Sequence, residues 1–160
     1  MPTGLSVQVA DIMTSDVAVV TADMSVEAAA RLLTSRAVSG MPVVDEHEHL
    51  VGIISEFDII ARDGETVGDI MTKEVISVTE DEDAARIAQI LTSYRVRRVP
   101  VVREGHVVGI VSRSDLVRLF ALTRWSCESC GFYTRGFERL TVCPKCGNET
   151  IVLEREPPGM

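Results

Sequence analysis

The feature of this sequence that most constrains its fold is an internal duplication. Residues 9–45 align with residues 67–103 at an offset of 58, and 17 of the 37 aligned positions are identical. After a one-residue deletion the offset falls to 57, and Gly52 then aligns with Gly109. A unit that cannot cover its own apolar strands is stable only when a second copy packs on it. The duplication therefore predicts two units packed sheet against sheet about a pseudo-twofold axis.

The residue pattern predicts the elements of each repeat. In the first repeat, the β-branched run 17–21 predicts a strand, and Ser25 is placed to cap an amphipathic helix. Two more strands and a short final helix follow, at residues 41–44, at residues 50–54 and from residue 56. The second repeat has the same order, with Asp83 at the position of the helix cap. The predicted fold class is α+β, with two pseudo-twofold-related β-α-β-β-α units.

Each repeat carries the pattern Gly-h-h-Ser-x-x-Asp, where h is apolar, between its third strand and its last helix. The pattern places Ser55 and Asp58 at one helix start, and Ser112 and Asp115 at the other. A helix N terminus has free backbone N–H groups and partial positive charge, which suit a phosphate. The serine adds a hydroxyl donor, and the aspartate can accept both hydrogen bonds of a ribose diol.

The same pattern also predicts a helix capping box, which needs no ligand. Two observations favour a ligand. The capping box normally has Glu or Gln at its third position, whereas both repeats have the shorter Asp. The Ser and Asp are also kept in both repeats while the residues between them change.

The repeated motifs Asp-Ile-Met-Thr, Pro-Val-Val and Gly-h-h-Ser-x-x-Asp resemble those of CBS domains. The pair resembles a Bateman module, with one domain at residues 7–63 and the second at residues 64–121. Pairs of this family commonly bind AMP, ATP or related adenosyl ligands in the cleft between the domains. The Asp then contacts the ribose hydroxyls and the Ser contacts phosphate. The resemblance also implies a homodimer formed through helices.

The resemblance implies two pseudo-symmetric ligand sites that each use both repeats. The first site comprises Thr14, Ala18, Val38, Ser39, Ile110, Ser112 and Asp115. The second site comprises Ile53, Ser55, Asp58, Thr72, Ile76, Val96 and Arg97. The sites differ because Ser39-Gly40 aligns with Arg97-Arg98, within a cluster that also contains Arg95. These arginines favour tighter polyphosphate binding at the second site, unless they form a solvated strand edge with surface ion pairs.

Four cysteines predict a metal site near the end of the chain. Cys127 and Cys130 form one CxxC pair, Cys143 and Cys146 form another, and twelve residues separate the pairs. This spacing is typical of a tetrahedral four-thiolate site, in which the metal supplies the folding energy of a short segment. Two disulfides or four free thiols are the alternatives. We expect a cytoplasmic protein because the sequence shows no export signal, and a reducing compartment disfavours disulfides.

The segment that contains these cysteines is similar to rubredoxin-like domains, especially the short version at the end of rubrerythrins. The similarity includes Trp125 and Gly136 and implies a small metal-stabilised β ribbon at residues 122–156. Rubredoxin-like domains often hold iron, whereas zinc ribbons with the same ligands hold zinc, and four thiolates accept either metal. We expect zinc, with iron as the alternative. The ribbon core is expected to comprise Trp125, Phe132, Tyr133 and Phe137.

The charge distribution limits the possible partners. Residues 1–121 contain 11 basic and 19 acidic side chains, whereas the remaining tail contains five of each. An acidic body disfavours nucleic acid, and no apolar run approaches the roughly 20 residues of a membrane helix. No Walker loop, nucleophile elbow or paired-carboxylate pattern is present, so we expect no enzymatic activity.

These patterns together predict a cytoplasmic regulatory or sensor protein that binds an adenosine-containing small molecule. The ribbon would dock an unidentified protein partner or sense redox state. The alternative is an electron-transfer protein in which the CBS pair modulates an iron-thiolate centre.

Overall fold

The computed structural model describes residues 7–155, so the last residue of the predicted ribbon, at position 156, lies outside the described residues. The helices are α1 Val9–Ile12, α2 Val26–Arg36, α3 Glu56–Ala61, α4 Val67–Ile70, α5 Ala84–Ser93 and α6 Arg113–Leu122. The strands are β1 Val20–Thr21, β2 Gly40–Val44, β3 Leu50–Ser55, β4 Arg98–Arg103, β5 His106–Ser112, β6 Thr123–Cys127, β7 Tyr133–Thr134 and β8 Ile151–Arg155. Within this range no helix combines the length and apolar character that crossing a bilayer requires.

The chain forms two compact units whose boundaries do not follow the repeats. The first unit comprises Met13–Glu80 and Arg98–Ile110. Among the described residues, the second unit comprises residues 7–12, Asp81–Arg97 and residues 111–155. Each unit therefore contains segments of both repeats.

The first unit is built around a three-stranded sheet in the order β1-β2-β3. β1 is parallel to β2, and β2 is antiparallel to β3, with Val43 opposite Gly52. All five residues of β2 are buried, which explains its continuous apolar sequence. The core of this unit comprises Val20, Ala29, Leu33, Met41, Val43, Ile54, Val67 and Ile70.

The helix cap predicted at Ser25 is confirmed, because its hydroxyl accepts the backbone N–H of Ala28 at 3.1 Å. Asp83 stands at the equivalent N-cap position of α5 but makes no side-chain capping bond. The predicted first strand is shorter than expected, with Val20–Thr21 as its paired part. Extended backbone becomes a strand only where a neighbour pairs with it, and β1 meets β2 over two residue pairs.

The second unit contains a three-stranded antiparallel sheet in the order β7-β6-β8. Trp125 on β6 is buried, donates its indole N–H to the carbonyl of Gly136 at 3.2 Å, and packs with Phe132. The expectation that Tyr133 and Phe137 share this core is wrong. Tyr133 is 56% exposed beneath the guanidinium of Arg124, and Phe137 contacts Phe120 of α6 at a ring-centroid distance of 5.9 Å.

The repeats exchange backbone hydrogen bonds in a reciprocal pattern. Ile53 and Thr72 exchange two bonds of 2.9 Å, and their repeat counterparts, Ile110 and Thr14, exchange bonds of 3.0 and 2.9 Å. Both exchanges lie in the first unit. The Met-Thr segment of each repeat therefore pairs with the third strand of the other repeat.

Candidate functional site

The Asp58 corner, formed by Ser55 and Asp58 where β3 meets α3, is a capping box. Oδ2 of Asp58 accepts the backbone N–H and the hydroxyl of Ser55, each at 2.9 Å. The backbone N–H of Asp58 in turn reaches the Ser55 hydroxyl oxygen at 3.3 Å. The capping-box alternative from the sequence is therefore confirmed at this corner.

The other oxygen of Asp58 also has neighbours inside the protein. Oδ1 lies 3.4 Å from the hydroxyl of Thr72 and 3.6 Å from Nε of Arg62. Arg62 is also anchored by the carbonyls of Ile70 and Met71, at 3.3 and 3.4 Å. The Asp58 side chain is 2% exposed, so its charge is balanced by a guanidinium that the chain itself supplies.

The Asp115 corner, formed by Ser112 and Asp115 where β5 meets α6, is a second capping box. Its carboxylate has fewer partners than that of Asp58. Oδ2 of Asp115 accepts the backbone N–H of Ser112 at 2.8 Å and its hydroxyl at 3.0 Å. Among residues 7–155, no group bonds to Oδ1 of Asp115, and no basic side chain forms an ion pair with it. This oxygen can therefore accept a hydrogen bond from a ligand hydroxyl.

The helix-start amides are less available than the sequence predicts. At the Asp58 corner, the N–H of Glu56 donates to the carbonyl of Ser39 at 3.0 Å. At the Asp115 corner, the N–H of Arg113 donates to the carbonyl of Arg97 at 3.1 Å. These bonds and the capping boxes satisfy several of the N–H groups that were assigned to a phosphate. A phosphate at either corner needs donors from side chains.

The predicted ligand residues are divided between the two units. The first unit contains Thr14, Ala18, Val38, Ser39, Ile53, Ser55, Asp58, Thr72, Ile76, Arg98 and Ile110. The second unit contains Val96, Arg97, Ser112 and Asp115. Within the first unit, the structure brings Ile53, Thr72 and Asp58 together, and it also joins Arg98 to Ser39 through a side-chain hydrogen bond.

The four predicted metal ligands lie together in the second unit. The sulfurs of Cys127, Cys130, Cys143 and Cys146 are all within 4.8 Å of one another, and the Cys127–Cys146 and Cys130–Cys143 sulfur distances are each 3.6 Å. Disulfide sulfurs are about 2.0 Å apart, whereas sulfurs around a tetrahedral metal with bonds of about 2.3 Å are about 3.8 Å apart. This arrangement therefore fits a four-thiolate metal site and contains no disulfide.

Two turns direct the cysteine backbone toward the cluster. Gly131 and Gly147 follow the second cysteine of each pair and have φ angles of 79° and 77°, a region that favours glycine. Their N–H groups bond to the carbonyls of Cys127 and Cys143, at 3.0 and 2.9 Å. These positive φ angles allow each turn to close directly after its cysteine pair.

The thiols of the cluster have unequal acidities. The backbone N–H of Cys130 is the main cause that lowers the pKa of Cys127 to about 6. The Phe132 backbone N–H lowers the pKa of Cys130, but partial desolvation and hydrogen bonds with the other three sulfurs outweigh this effect and raise the pKa to about 11. Four thiolates at these distances repel one another, and a bound cation would remove that repulsion.

Sequence reasoning missed three arginines near the two corners. Arg62 lies beside Asp58, and Arg118 and Arg155 line a cavity with Asp115. Arg118 could have been found, because residues three apart share a helix face. Arg155 could not, since nothing in its local sequence indicates which element it approaches.

Comparison with protein families gives a match to the family described as CBS domain, at residues 9–65 and 67–122. Among curated proteins, the chain is 38% identical over 116 residues to L-aspartate semialdehyde sulfurtransferase of Methanocaldococcus jannaschii. That alignment covers 70% of this chain and 23% of the relative. The chain spans less than a quarter of the length of the first curated relatives that it matches.

Two solved structures have the same fold as most of this chain. The CBS domain pair of protein MJ0100, in complex with 5′-methylthioadenosine and S-adenosyl-L-methionine, is 37% identical with a TM-score of 0.69, over 72% of this chain and 97% of that one. CBSX2 of Arabidopsis thaliana, in complex with AMP, is 33% identical with a TM-score of 0.67, over 70% of this chain and 94% of that one.

Proposed function

Because this chain belongs to the CBS domain family, we propose that it is a regulatory protein that binds an adenosine-containing ligand through its CBS pair. Its domains would be residues 7–63 and 64–121, followed by a metal ribbon at residues 122–156. The related CBS pairs that hold AMP, or S-adenosyl-L-methionine with 5′-methylthioadenosine, support this ligand class. The proposed role is ligand sensing without catalysis, in the cytoplasm.

The observation that carries this proposal is that only one oxygen of the Asp115 carboxylate has a hydrogen-bond partner among residues 7–155. The capping box engages only Oδ2, so Oδ1 can accept from a ribose hydroxyl without unfolding the helix start. Asp58 has its second oxygen beside Arg62 and Thr72. The ligand site at Asp115 is therefore proposed to bind more tightly than the site at Asp58. The remaining members of the two sites, including Val38, Ile76 and Val96, keep their proposed roles as pocket lining.

Calorimetric titration of AMP, ATP, S-adenosyl-L-methionine and 5′-methylthioadenosine into the full chain tests this function. Asp115→Asn is expected to weaken binding about tenfold or more, and Asp58→Asn to weaken it less. Asp69→Asn is the matched control, since Asp69 accepts the N–H of Thr66 at 3.0 Å in a third capping box outside both proposed sites. An equal loss in all three variants would mean that the aspartates act only on folding.

We also propose that the four-cysteine cluster holds zinc and that the bound metal stabilises the ribbon. The sulfur distances and the low pKa of Cys127 support a metal of either kind. Cys130 and Cys146 are exposed, so an iron centre here could exchange electrons with a partner. Inductively coupled plasma mass spectrometry and the visible spectrum of the purified protein separate these functions. One zinc per chain and no visible absorption would exclude electron transfer, whereas iron with reversible bleaching would replace the zinc proposal.

The proposed homodimer is supported by exposed apolar residues on two helices. Ile60 on α3 is 85% exposed, and its repeat counterpart, Val117 on α6, is 67% exposed. Beside Ile60, α2 and α3 border a groove of about 520 Å³. Contiguous exposed apolar patches mark interaction surfaces, and Phe57, which is 69% exposed, lies one turn before Ile60 on the same helix. Ile60→Glu is expected to shift the native mass from dimer to monomer, while Glu27→Gln, on the exposed side of α2, leaves it unchanged.

A further inference from the structure

A small cavity in the second unit joins the Asp115 corner to the ribbon. Its volume is about 230 Å³, and it lies where α6, the residues around α1 and the end of β8 meet. Asp115, Arg118, Leu119 and Leu122 follow the spacing of one helix face, so α6 turns a single side toward this space. The other lining residues are Val7, Asp11, Ile12, Thr123 and Arg155.

The cavity contains two cations that have no anionic partner of their own. Within residues 7–155, neither Arg118 nor Arg155 forms an ion pair or a side-chain hydrogen bond. Asp11 also lines the cavity; its Oδ2 accepts the backbone N–H of Gln8 at 3.1 Å, and among residues 7–155 it forms no ion pair with either arginine. Guanidinium groups bind phosphate oxygens in pairs of parallel hydrogen bonds, so two arginines without partners form a suitable anion site.

The equivalent place at the Asp58 corner is built differently. Arg62 stands there, 3.6 Å from the Asp58 carboxylate and bonded to two carbonyls of the chain. Its repeat counterpart is Leu119, which has no charge and leaves Asp115 without a basic partner. At the first corner Arg62 neutralises the carboxylate, whereas at the second corner one carboxylate oxygen has no partner among residues 7–155, and two unpaired arginines line the same cavity as Asp115.

The ribbon is fixed to α6 by several contacts, so Arg155 is a built part of this cavity. α6 ends at Leu122 and β6 begins at Thr123, with no linker between them. Thr123 is paired with Arg155 in the β6–β8 register. Nη1 of Arg135, in the ribbon, donates to the carbonyls of Ala121 and Thr123 at 3.1 and 2.9 Å. These contacts satisfy carbonyls at the helix end and place a cation where the helix dipole favours one.

We propose that this cavity binds the phosphate group of an adenosine nucleotide whose ribose is held by Asp115, with Arg118 and Arg155 as the phosphate-binding residues. The proposal rests on the nucleotide-binding function proposed above and adds that the ribbon is part of the binding site. The cavity is smaller than the roughly 300–1,000 Å³ of complete small-molecule sites, so it accommodates one end of the ligand.

This assignment places the phosphate preference at the opposite corner from the one that the Arg95, Arg97 and Arg98 cluster predicts. Arg98 is bonded to Ser39, and Asp58 already has Arg62. A nucleotide that bridges α6 and β8 would make the ribbon sensitive to the ligand, because both binding arginines must keep their relative positions. Ligand binding and metal retention by the ribbon should then strengthen each other.

Titration calorimetry with ATP and with adenosine, on the full metal-loaded chain, tests the proposal. Arg118→Ala and Arg155→Ala are each expected to weaken ATP binding about tenfold and to leave adenosine binding unchanged. Arg155→Lys should give an intermediate loss, since lysine keeps the charge without the paired donors. Arg31→Ala is the matched control, because Arg31 is an exposed arginine of α2 that pairs with Glu27 at 2.6 Å. Metal content and circular dichroism of every variant establish that it is folded.

ATP binding by both arginine variants at the affinity of the Arg31→Ala control would overturn the proposal and leave the nucleotide function intact. If the wild type binds neither ATP nor adenosine, the nucleotide function fails instead. Pyrophosphate titration then tests the cavity alone. If the wild type binds pyrophosphate and Arg155→Ala does not, the anion site is supported. If the wild type does not bind pyrophosphate, the anion site is refuted.

Discussion

The reciprocal exchange between the repeats requires glycine at Gly52, and replacement by alanine tests this requirement. A Cβ atom at Gly52 would lie 2.9 Å from the backbone carbonyl oxygen of Thr72 and 2.8 Å from Sδ of Met71. The Thr72 carbonyl cannot yield easily, because it accepts the N–H of Ile53 at 2.9 Å in the exchanged pair. Gly52→Ala is therefore expected to separate the two segments.

The change in the free energy of unfolding follows from two destabilising effects and one stabilising effect. Overpacking of a buried site costs about 1–3 kcal/mol, and weakening of the Ile53–Thr72 hydrogen bonds costs about 1 kcal/mol. Loss of a glycine also reduces the entropy of the unfolded chain, which returns about 0.4–1 kcal/mol. The net destabilisation is about 2 kcal/mol, which corresponds to a Tm about 4–8 °C lower for a chain of this size.

Thermal unfolding followed by circular dichroism measures this effect, with two further variants for comparison. Gly109→Ala should destabilise less, because the Thr14 carbonyl lies 3.1 Å from its Cβ position and the nearer atom is the flexible Sδ of Met13 at 2.5 Å. Gly136→Ala should change Tm by less than about 1 °C, because no atom lies within 4 Å of its Cβ position. A stable Gly52→Ala variant, or equal losses at Gly52 and Gly136, would refute the close approach.

Three further predictions concern individual side chains. Ser25→Ala should lower the free energy of unfolding by about 1 kcal/mol in denaturant titration, and Asp83→Ala by less, because only Ser25 makes a capping bond; equal losses would contradict this. The backbone N–H of His49 lowers the pKa of Asp45 below its usual value of 3.8, so the ionised carboxylate stabilises the folded chain. Asp45→Asn should therefore lower the free energy of unfolding at neutral pH, and this loss should disappear as the pH falls below 3.8. An NMR titration that gives Asp45 a pKa above 3.8 would contradict this prediction. Cys143→Ser should abolish stoichiometric metal and shift the emission of Trp125, the single tryptophan, to longer wavelength; unchanged emission with metal retained would contradict the ribbon's dependence on the metal.

Local patterns predicted the parts of the site that depend on neighbours in sequence. The Ser-x-x-Asp spacing offered a capping box as the alternative to the favoured ligand contact, and the structure contains a capping box at Ser55 and another at Ser112. The CxxC spacing predicted a four-sulfur cluster, and the sulfurs do converge. In each case one turn of backbone fixes the geometry of a pair, so sequence spacing is sufficient.

The asymmetry between the two corners depends on residues that are distant in sequence. The cluster of Arg95, Arg97 and Arg98 predicted phosphate binding at the Asp58 corner, yet Arg98 bonds to Ser39, 59 residues earlier in the chain. Leu119 and Arg62 occupy equivalent positions, but only the folded chain shows that Arg62 reaches the carbonyls of Ile70 and Met71. A long side chain has several possible partners, and packing selects among them.

The amino-acid sequence by itself determined that two copies of one unit share a fold and that a segment with four clustered cysteines follows them. Repetition, alternation and short spacings are properties of the covalent chain, and backbone geometry converts them directly into helices, strands and turns. Only the tertiary structure decided which strand each Met-Thr segment pairs with, and which arginines line a cavity with Asp115. Those contacts join residues such as Arg155 and Asp115, whose proximity arises only when separate elements pack.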